Sequence, residues 1–471
     1  MNWKVEKKII VWENFTWWYG GDKYYAPRNT YYDAYNIDTT LFKARVAHKN
    51  ELFVTPETWV PINAIHINEN NEVISILNNR NVRRDGTFLH TLPVWTYTRV
   101  ASMFVSWTKF LYVFQETPVF WTYKIQKLNT NWTYVSEITY TSTGWFSFLQ
   151  PTNWLVILEE RDRIIFSNYN NLFIIDNTET VQLVHSFPSS ENIVGITNFQ
   201  WQYSIYTNDR WKDSFKYKWS GVWGDAFTLQ RQIVLHWYSL LEVVNDWPYD
   251  YGMMNWELYR FAWPQYQEIT AKIGWRLLKN IWGWIYHSWT WRENKWALNR
   301  FGAEPWFQEK LHAYTYIRLS DTLDPAKDCI GYAASWEIYF SFNDSVYRVR
   351  NAWLAVPLTA HIVSNQFVWE DIREEKTLEV VFLKFENTDV NNKIKLEVKL
   401  NDTGSWIEIY EWYNGEVEQD TYGLRIVADK FTNKLPRFNE IAFRVSFATI
   451  DGSKRPEFMG LRAFYNNDVW Y

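Results

Sequence analysis

The chain has 471 residues, a formal net charge of −5 and a hydrophobic content of 47%. A chain of this length exceeds one ordinary hydrophobic core, so two or three domains are expected. The small charge argues against a large basic face for nucleic acid, and the apolar content argues against disorder.

The first sixty residues give no sign of a globular domain. Residues 1–15 contain three lysines but no apolar run of signal-peptide length, and no window approaches the roughly 18 consecutive apolar residues of a membrane helix. We therefore expect a soluble protein with no membrane partner, made in the cytoplasm of the cell that produces it. Because residues 1–60 are irregular, polar and rich in tyrosine, they predict an extended N-terminal arm.

A repeat of short β-strands follows the arm. Runs rich in Val, Ile, Tyr, Phe and Thr alternate with Asn, Asp, Gly and Pro, which predicts an all-β chain. One strand type closes on an apolar residue at positions 128, 175, 217, 261, 301 and 349, at separations of 47, 42, 44, 40 and 48 residues. Such a period is typical of four-stranded propeller blades.

The repeat predicts a β-propeller over residues 61–367, with six blades expected and seven left open. In its first unit the four strands are expected at 100–105, 109–114, 122–128 and 134–140. A set of unrelated β-sandwiches is the alternative.

After residue 367 the strands become longer and alternate in polarity, as in 393–400. Longer antiparallel strands of this kind predict a two-sheet β-sandwich over 368–471. Its strands are expected at 378–385, 393–400, 405–410, 424–428, 441–447 and 458–465.

Tryptophan occupies positions where glycine is expected. The chain has 32 Trp and 17 Gly, whereas an average glycine content of about 7% would give about 33. Trp132, Trp154 and Trp256 each follow an asparagine between two β-rich runs, where Asn-Gly is the strongest hairpin signal. Glycine adopts positive φ without steric cost, unlike a bulky residue.

We hypothesise that many of these positions are UGA codons that stand for glycine, as they do in some uncultured bacterial lineages and their phages. The alternative is a protein truly rich in tryptophan, with aromatic platforms that bind carbohydrate. Trp406, in a regular strand pattern, is expected to be genuine.

Two stretches carry a resemblance to a known class of proteins. Residues 14–18 read Asn-Phe-Thr-Trp-Trp, and residues 33–38 read Asp-Ala-Tyr-Asn-Ile-Asp. This pattern resembles the N-terminus of tailed-bacteriophage virion proteins. Residues 440–465, with Pro-Glu-Phe-Met-Gly-Leu at 456–461, resemble the last strands of the sandwich that follows their propeller. The order of arm, propeller and sandwich is similar to tail-accessory or tail-hub proteins. The resemblance implies a structural role in the virion, in contact with neighbouring tail or neck proteins.

The sequence predicts no catalytic, cofactor-binding or metal-binding residue. The eight histidines, at 48, 66, 90, 185, 236, 287, 312 and 361, show no metal-ligand spacing, and the single cysteine, Cys329, allows neither an internal disulfide nor a cysteine-based zinc site.

Three polar segments nevertheless offer alternatives to a purely structural interpretation. The run 159–162 (Glu-Glu-Arg-Asp) is expected to form a charged turn, although it could present acids for glycoside hydrolysis. Arg80, Arg83 and Arg84 are expected in a solvated loop, with non-specific contact to DNA phosphates as the alternative. Asn401–Trp406 resembles a sialidase Asp-box only weakly, and is expected to form a β-hairpin turn shaped by Asp402 and Gly404.

The sequence thus predicts a virion structural protein of a tailed phage, a tail or neck component that acts through protein–protein contacts in a symmetric homo-oligomer, without cofactor and without enzymatic activity. A glycan-binding propeller, such as a receptor-binding tail component or lectin, is the first alternative. A propeller glycosidase is the second, and it requires acids that converge at the centre of the ring.

Overall fold

The structure is a computed structural model, and it describes part of the chain. The described residues are 8–13, 17–18, 30–35, 37–38, 44–46, 50–67, 72–92, 96–116, 122–142, 155–199, 202–209, 213–222, 226–232, 240–246, 249–254, 257–262, 265–270, 278–291, 295–302, 311–318, 326–332, 337–349, 359–368, 375–386, 392–401, 405–413, 424–449 and 456–468.

Strands fill most of these residues, and no α-helix occurs among them. The strands of the first half are β1 (Lys8–Glu13), β2 (Trp17–Trp18), β3 (Thr30–Tyr35), β4 (Ile37–Asp38), β5 (Ala44–Val46), β6 (Asn50–Val54), β7 (Ile62–Ile67), β8 (Val73–Leu77), β9 (Asn81–Arg84), β10 (Thr87–Thr91), β11 (Thr96–Val105), β12 (Thr108–Glu116), β13 (Thr122–Asn129), β14 (Tyr134–Thr141), β15 (Ile157–Glu159), β16 (Ile164–Asn168), β17 (Asn171–Ile175), β18 (Val181–Ser186), β19 (Glu191–Phe199), β20 (Gln202–Asp209), β21 (Ser214–Trp219) and β22 (Thr228–Gln232).

The remaining elements are β23 (Leu240–Asp246), β24 (Tyr249–Met254), β25 (Glu257–Ala262), β26 (Gln265–Thr270), β27 (Leu278–Ile281), β28 (Trp284–Trp291), β29 (Lys295–Gly302), β30 (Leu311–Arg318), β31 (Ala326–Tyr332), β32 (Glu337–Phe342), β33 (Ser345–Val349), β34 (Thr359–Ser364), β35 (Phe367–Val368), β36 (Glu375–Glu386), β37 (Asn392–Leu400), β38 (Ile407–Tyr413), β39 (Leu424–Val427), a 3-10 turn at Ala428–Lys430, β40 (Glu440–Thr449) and β41 (Glu457–Asp468). Within the described ranges, no helix has the length and apolar character needed to cross a membrane.

The chain packs as two units. One unit, here called the ring unit, consists of Leu52–Asn294 and Thr322–Arg348, and the other, here called the sandwich unit, consists of Met1–Glu51, Lys295–Asp321 and Val349–Tyr471.

The ring unit is built from antiparallel sheets of four strands. Five of them are sequential meanders, β7 to β10, β11 to β14, β15 to β18, β19 to β22 and β23 to β26, and a sixth has the order β31-β32-β33-β6. The hairpin β27–β28 also belongs to this unit. Each meander follows from short β-rich runs joined by tight turns.

The first strands of these sheets form the inner wall of the ring. In succession β7, β11, β15, β19, β23, β27 and β31 each contact the next, and β31 contacts β7. Glycine permits close approach at two of these contacts: a Cβ on Gly195 would lie 2.6 Å from Val243 Cβ, and one on Gly331 would lie 2.5 Å from Ile281 Cγ2. The arrangement is a β-propeller.

Neighbouring sheets bury their faces against each other. Phe114 of one sheet packs on Phe166 of the next, with ring centroids 5.0 Å apart, and Tyr206 packs on Phe261 at 5.9 Å. Since each sheet has only four short strands, it cannot bury both faces alone, and the apolar layer between sheets supplies the core.

The ring closes through a strand from its beginning. Strand β6 completes the sheet that begins with β31, and Phe53 packs on Tyr339, with ring centroids 5.4 Å apart. The hydroxyl groups of Thr55 and Ser345 form a hydrogen bond of 2.8 Å, and the backbone N–H of Trp59 donates to Asp344 Oδ2 at 2.9 Å. The first and last parts of the ring are therefore held together by one sheet.

Besides the hairpin β29–β30, the described residues of the sandwich unit form two large sheets. One has the order β39-β36-β41-β5-β4, with β1 also paired to β41, and the other has the order β2-β3-β34-β40-β37-β38, with β35 paired to β40. Apolar residues of both sheets form one core, in which Phe385 of β36 meets Phe447 of β40 with ring centroids 5.8 Å apart.

The sequence prediction of the fold is confirmed: the chain is all-β, with a β-propeller followed by a β-sandwich. All six aligned segments of the repeat lie on β13, β17, β21, β25, β29 and β33. The number of blades, six or seven, stays a prediction, because β27–β28 and β29–β30 fall in different units.

The predicted domain limits of 1–60, 61–367 and 368–471 stay a prediction, although the chain packs with different limits. Where an extended arm was expected, β1 pairs along β41 and buries Ile10 and Trp12. The alternation of buried and exposed residues in β1 is the pattern of a half-buried strand.

Candidate functional site: the central cavity

The inner wall of the propeller encloses a cavity of about 790 Å³. Its lining includes residues from the first strand or strand pair of every sheet, and among them are ionisable side chains of both signs. The ionisable lining residues are His66, Arg99, Lys109, Glu159, Glu242, Lys279 and Asp328. The cavity is therefore polar and close to electrically balanced.

Asp328 connects three inner strands. Its Oδ2 accepts a hydrogen bond from the backbone N–H of Ile65 on β7 at 2.9 Å, and its Oδ1 accepts one from the N–H of Cys329 at 2.9 Å. The Lys279 ammonium on β27 forms an ion pair with the same carboxylate. Since Asp328 is only 5% exposed, the carboxylate acts as a buried brace between β7, β27 and β31.

Glu159 faces the cavity from β15. Its Oε2 accepts hydrogen bonds from the Ser102 N–H at 3.2 Å and the Ser102 hydroxyl at 3.0 Å. Although the side chain is open to the cavity, protein surrounds it, and this desolvation raises the pKa of Glu159 despite the hydrogen bonds and the nearby lysines.

The environment keeps two other groups neutral. Burial, reinforced by the positive charge of Lys109, lowers the pKa of His66 to about 4, so the imidazole is neutral at pH 7. Burial raises the pKa of the Cys329 thiol. A thiol that stays protonated is a poor nucleophile, so Cys329 is a core residue and not a reactive one.

Among the described residues, Lys279 has an acidic partner in the cavity, Asp328, whereas Arg99 and Lys109 do not. In the part of the chain that the structure describes, neither has an ion-pair partner within 4 Å. A cavity with two such cations, a protonatable Glu159 and several apolar residues can hold a small polar molecule. No group of three or more metal-ligating side chains occurs among the described residues.

The run 159–162 forms the turn between β15 and β16, as the sequence predicts. Glu160 accepts hydrogen bonds from Tyr203 Oη at 2.7 Å and Asn198 Nδ2 at 2.6 Å and pairs with Arg163 at 3.2 Å. Only Glu159 reaches the cavity, so the two adjacent glutamates do not act as an acid pair.

Two of the three arginines of the basic segment, Arg83 and Arg84, lie on strand β9 and not in the expected loop, and both have acidic partners. Arg83 forms an ion pair with Glu57, with Nη2 to Oε2 at 2.8 Å, and Arg84 lies 3.6 Å from Glu72. These contacts weaken the interpretation of the segment as a contact for DNA phosphates, which requires uncompensated cations.

At the predicted hairpin near residue 401, Asn401 follows β37 with φ of 51°, and Trp406 precedes β38. Residues 402–404 lie outside the described residues, as do His48 and His236. Of the other histidines, His66 lines the cavity, His287 is fully buried, and His185 packs against Phe187 with ring centroids 4.6 Å apart.

The sequence did not single out Asp328 or Lys279. Asp328 and Ile65 are 263 residues apart in the chain, and each ionisable residue of the cavity lies on a different strand, with no local motif. The alternation of polar and apolar residues along first strands indicates a strand but not which residues meet at the axis.

No family model and no curated protein matches the chain. Among solved structures, a catalytically inactive virginiamycin B lyase from Staphylococcus aureus with quinupristin is similar with a TM-score of 0.43, 12% identity and coverage of 64% of this chain and 99% of that one. The Cps50 (Swd1) β-propeller domain of Myceliophteria thermophila has a TM-score of 0.43, 7% identity and coverage of 64% and 99%.

An exo-β-1,3-galactanase from Phanerochaete chrysosporium, solved with galactose, has a TM-score of 0.34, 9% identity and coverage of 89% of this chain and 100% of that one. Enzymes therefore occur among these neighbours. Because every one of these TM-scores is below 0.5, the propeller assignment rests on the sheets and ring of this chain, and function has to be argued from its own residues.

Proposed function

We propose that the protein is a structural component of a phage virion, in the tail or neck, and that it acts through protein–protein contacts made by the rim of its propeller. The observation that carries the proposal concerns the outermost strand of five consecutive sheets, β6, β10, β14, β18 and β22. Each exposes at least one large apolar side chain: Leu52 (59%), Phe88 (50%), Tyr134 (54%), Val135 (46%), Leu183 (46%) and Leu229 (52%).

Among the strands that the structure describes, each of these five pairs on one side only and forms the edge of its sheet. An edge strand presents unpaired backbone N–H and C=O groups, and proteins normally protect such edges with charges or by covering them. Apolar side chains recurring along this rim favour coverage by other chains. A ring-shaped component within a larger assembly would have its edges covered in that way.

The N-terminal pattern shared with tailed-phage proteins supports the same function. Of that pattern, Trp17 and Trp18 form β2, which pairs in parallel with β3, and Asp33 and Ala34 lie on β3. The pattern therefore belongs to a sheet of the sandwich unit. Residues that shape a folded sheet are a firmer basis for a family resemblance than residues of a free arm.

The direct test is to purify phage particles from the culture that carries the gene and to identify their proteins by peptide mass spectrometry. We expect peptides of this chain in the particle fraction, and antibody label at the tail or neck in electron micrographs. Particles that yield portal and major capsid peptides but none of this chain would refute the virion assignment.

The rim is tested by complementation with a double variant, Leu183→Asp and Leu229→Asp. We expect the variant to fold normally and to enter particles poorly, because a charge on the edge opposes coverage by another chain. Asn177→Asp is the control for the effect of charge alone, since it adds one negative charge, as each leucine replacement does, but in the exposed turn between β17 and β18. Equal incorporation of both variants would contradict the proposed rim contacts.

One observation favours a second candidate, a glycoside hydrolase with its site in the central cavity. Glu159 and Glu242 both line that cavity, and a carboxyl group with a raised pKa, as at Glu159, suits a general acid. Purified protein would then hydrolyse chromogenic glycosides, and Glu159→Gln would abolish turnover while Asp162→Asn, on the exposed turn, would not. Absence of turnover across α- and β-linked substrates would exclude this candidate.

A glycan-binding propeller has less support. It requires exposed tryptophans on a strand face, whereas Trp59 and Trp107, which are 87% and 86% exposed, both lie in turns.

A further inference from the structure

Four tryptophans of the ring unit have a backbone conformation that favours glycine. Trp59, Trp107, Trp132 and Trp282 have φ values of 67°, 70°, 62° and 53°. They are half of the eight tryptophans whose side chains the structure describes, the others being Trp12, Trp219, Trp284 and Trp406. In this region the Cβ of an L-residue crowds its own backbone, so bulky residues are uncommon there. Arg80, Tyr169 and Glu179 also have positive φ, but no residue type other than glycine has so large a share of its described members in this region as tryptophan.

Two of the four lie in two-residue hairpin loops. Ser106 and Trp107 join Val105 to its partner Thr108, and both loop residues have positive φ. Such a loop requires positive φ at both central positions, and glycine is the preferred second residue.

The loop at Trp282 is also a two-residue hairpin loop, but here the tryptophan is the first of the two residues. Trp282 and Gly283 join Ile281 to Trp284, with φ values of 53° and 81°. Glycine already occupies the second position, and a sequence of two glycines is one of the preferred solutions for this turn.

Trp132 ends the longer turn between β13 and β14. Its N–H donates to Asn129 O at 2.9 Å, and the Asn129 N–H donates to Thr133 O at 3.0 Å, so Trp132 is the extra residue before the strand pairing resumes. A turn followed by a left-handed residue and a bulge is the usual three-residue hairpin, with glycine at the left-handed position. The Trp132 indole Nε1 is buried and has no hydrogen-bond partner among the described residues.

Trp59 is the third residue of a turn in which Val60 N–H donates to Glu57 O at 3.3 Å. A positive φ at the third position is the mark of a turn that takes glycine there. Its side chain is 87% exposed and that of Trp107 is 86% exposed, so neither indole has a place in a core.

Two other tryptophans have the opposite character. Trp12 is fully buried in β1 and meets Phe458 edge-on, with ring centroids 5.5 Å apart. Trp219 is 2% exposed in β21, donates from Nε1 to Val222 O at 3.1 Å and packs on Tyr203 at 5.1 Å. Both have negative φ, and the indole rings of both make packing contacts in a core.

We infer that residues 59, 107, 132 and 282 are glycine in the natural protein, encoded by UGA, and that Trp12 and Trp219 are genuine. Backbone conformation sorts the two groups, whereas the Asn-Trp pattern in the sequence identified only Trp132 among them. The inference stands apart from the proposed function, since it concerns which residue the codon specifies and not what the ring contacts.

The test is to read the codons of the gene and to measure the masses of the matching peptides from the organism that makes the protein. We expect UGA at 59, 107, 132 and 282, UGG at 12 and 219, and peptides with glycine at the first four positions. UGG at those four, or UGA with a tryptophan-containing peptide, would overturn the inference. UGA at 12 or 219 would overturn the sorting by backbone conformation.

Discussion

Replacing Trp107 by glycine should leave the stability of the ring almost unchanged, whereas the same replacement at Trp219 should be severe. The two positions form a matched pair, since both lie in the ring unit and both changes remove an indole ring. They differ in φ, which is 70° at Trp107 and negative at Trp219, and in exposure, which is 86% against 2%.

The magnitude follows from these differences. Trp107→Gly relieves a left-handed conformation that costs about 1–2 kcal/mol. It loses the contact between the Arg161 guanidinium and the indole ring at 5.5 Å, worth about 0.5–1 kcal/mol at an exposed site, and it adds about 0.4–1 kcal/mol of chain entropy to the unfolded state. These terms cancel to within about 1 kcal/mol.

Trp219→Gly has no such compensation. Loss of a buried aromatic side chain costs about 3–5 kcal/mol, and the hydrogen bond to Val222 O contributes about 1 kcal/mol more. The expected loss is at least about 4 kcal/mol.

Thermal and urea unfolding of the two variants, monitored by circular dichroism, would measure both effects. For a unit the size of the ring, a change of about 1 kcal/mol shifts Tm by about 2 °C. Trp219→Gly should therefore lower the Tm of the ring unit by about 8 °C, while Trp107→Gly moves it by about 2 °C or less. A loss at Trp107 as large as that at Trp219 would refute the reasoning from φ.

The remaining predictions concern buried charges. Desolvation lowers the pKa of His66 to about 4 and that of His287 to about 3. In the unfolded chain both side chains have the usual histidine pKa of about 6.5, so below that pH they bind protons in the unfolded state but not in the folded state. Stability present above pH 6.5 is therefore lost as the pH falls, by about 2.4 kcal/mol between pH 6 and pH 5 for the two groups. Urea unfolding at the two pH values should show this loss, and His287→Phe should lose about half as much; a free energy of unfolding that does not change with pH would contradict the assignment. Glu159→Gln should raise Tm at pH 8 and have little effect at pH 4, since the raised pKa means that the folded state disfavours the charged form; a lower Tm at pH 8 would count against this. Asp328→Ala should cost about 3 kcal/mol by leaving Lys279 without its partner, and Asp328→Asn should cost less because it can still accept the Ile65 N–H; a urea midpoint unchanged in both would disprove the brace.

The sequence was sufficient for the fold because the fold is encoded locally. The four strands expected in the first recognisable repeat unit appear as β11 to β14 with only small shifts, and 393–400 falls within β37, since alternation and turn residues specify strands directly.

The sequence could not give the inner wall of the ring. Asp328, Lys279 and Ile65 meet only because three separate strands converge there, and no spacing in the chain records that convergence. The burial of β1 was missed for a similar reason. Ile10 and Trp12 lie on a strand whose partner, β41, is more than 440 residues away in the chain.

The closure of the ring by β6 has a consequence for biosynthesis. Thr55 and Ser345 are 290 residues apart, and joining chain ends over such a distance costs about 5 kcal/mol of loop entropy. A nascent chain can complete the earlier sheets as they leave the ribosome, but Leu52–Val54 must wait, with its edge open, until the last sheet has been translated. Slow, non-local pairing of this kind leaves an aggregation-prone edge exposed, so premature termination before β33 should yield an insoluble product and not a shorter working ring.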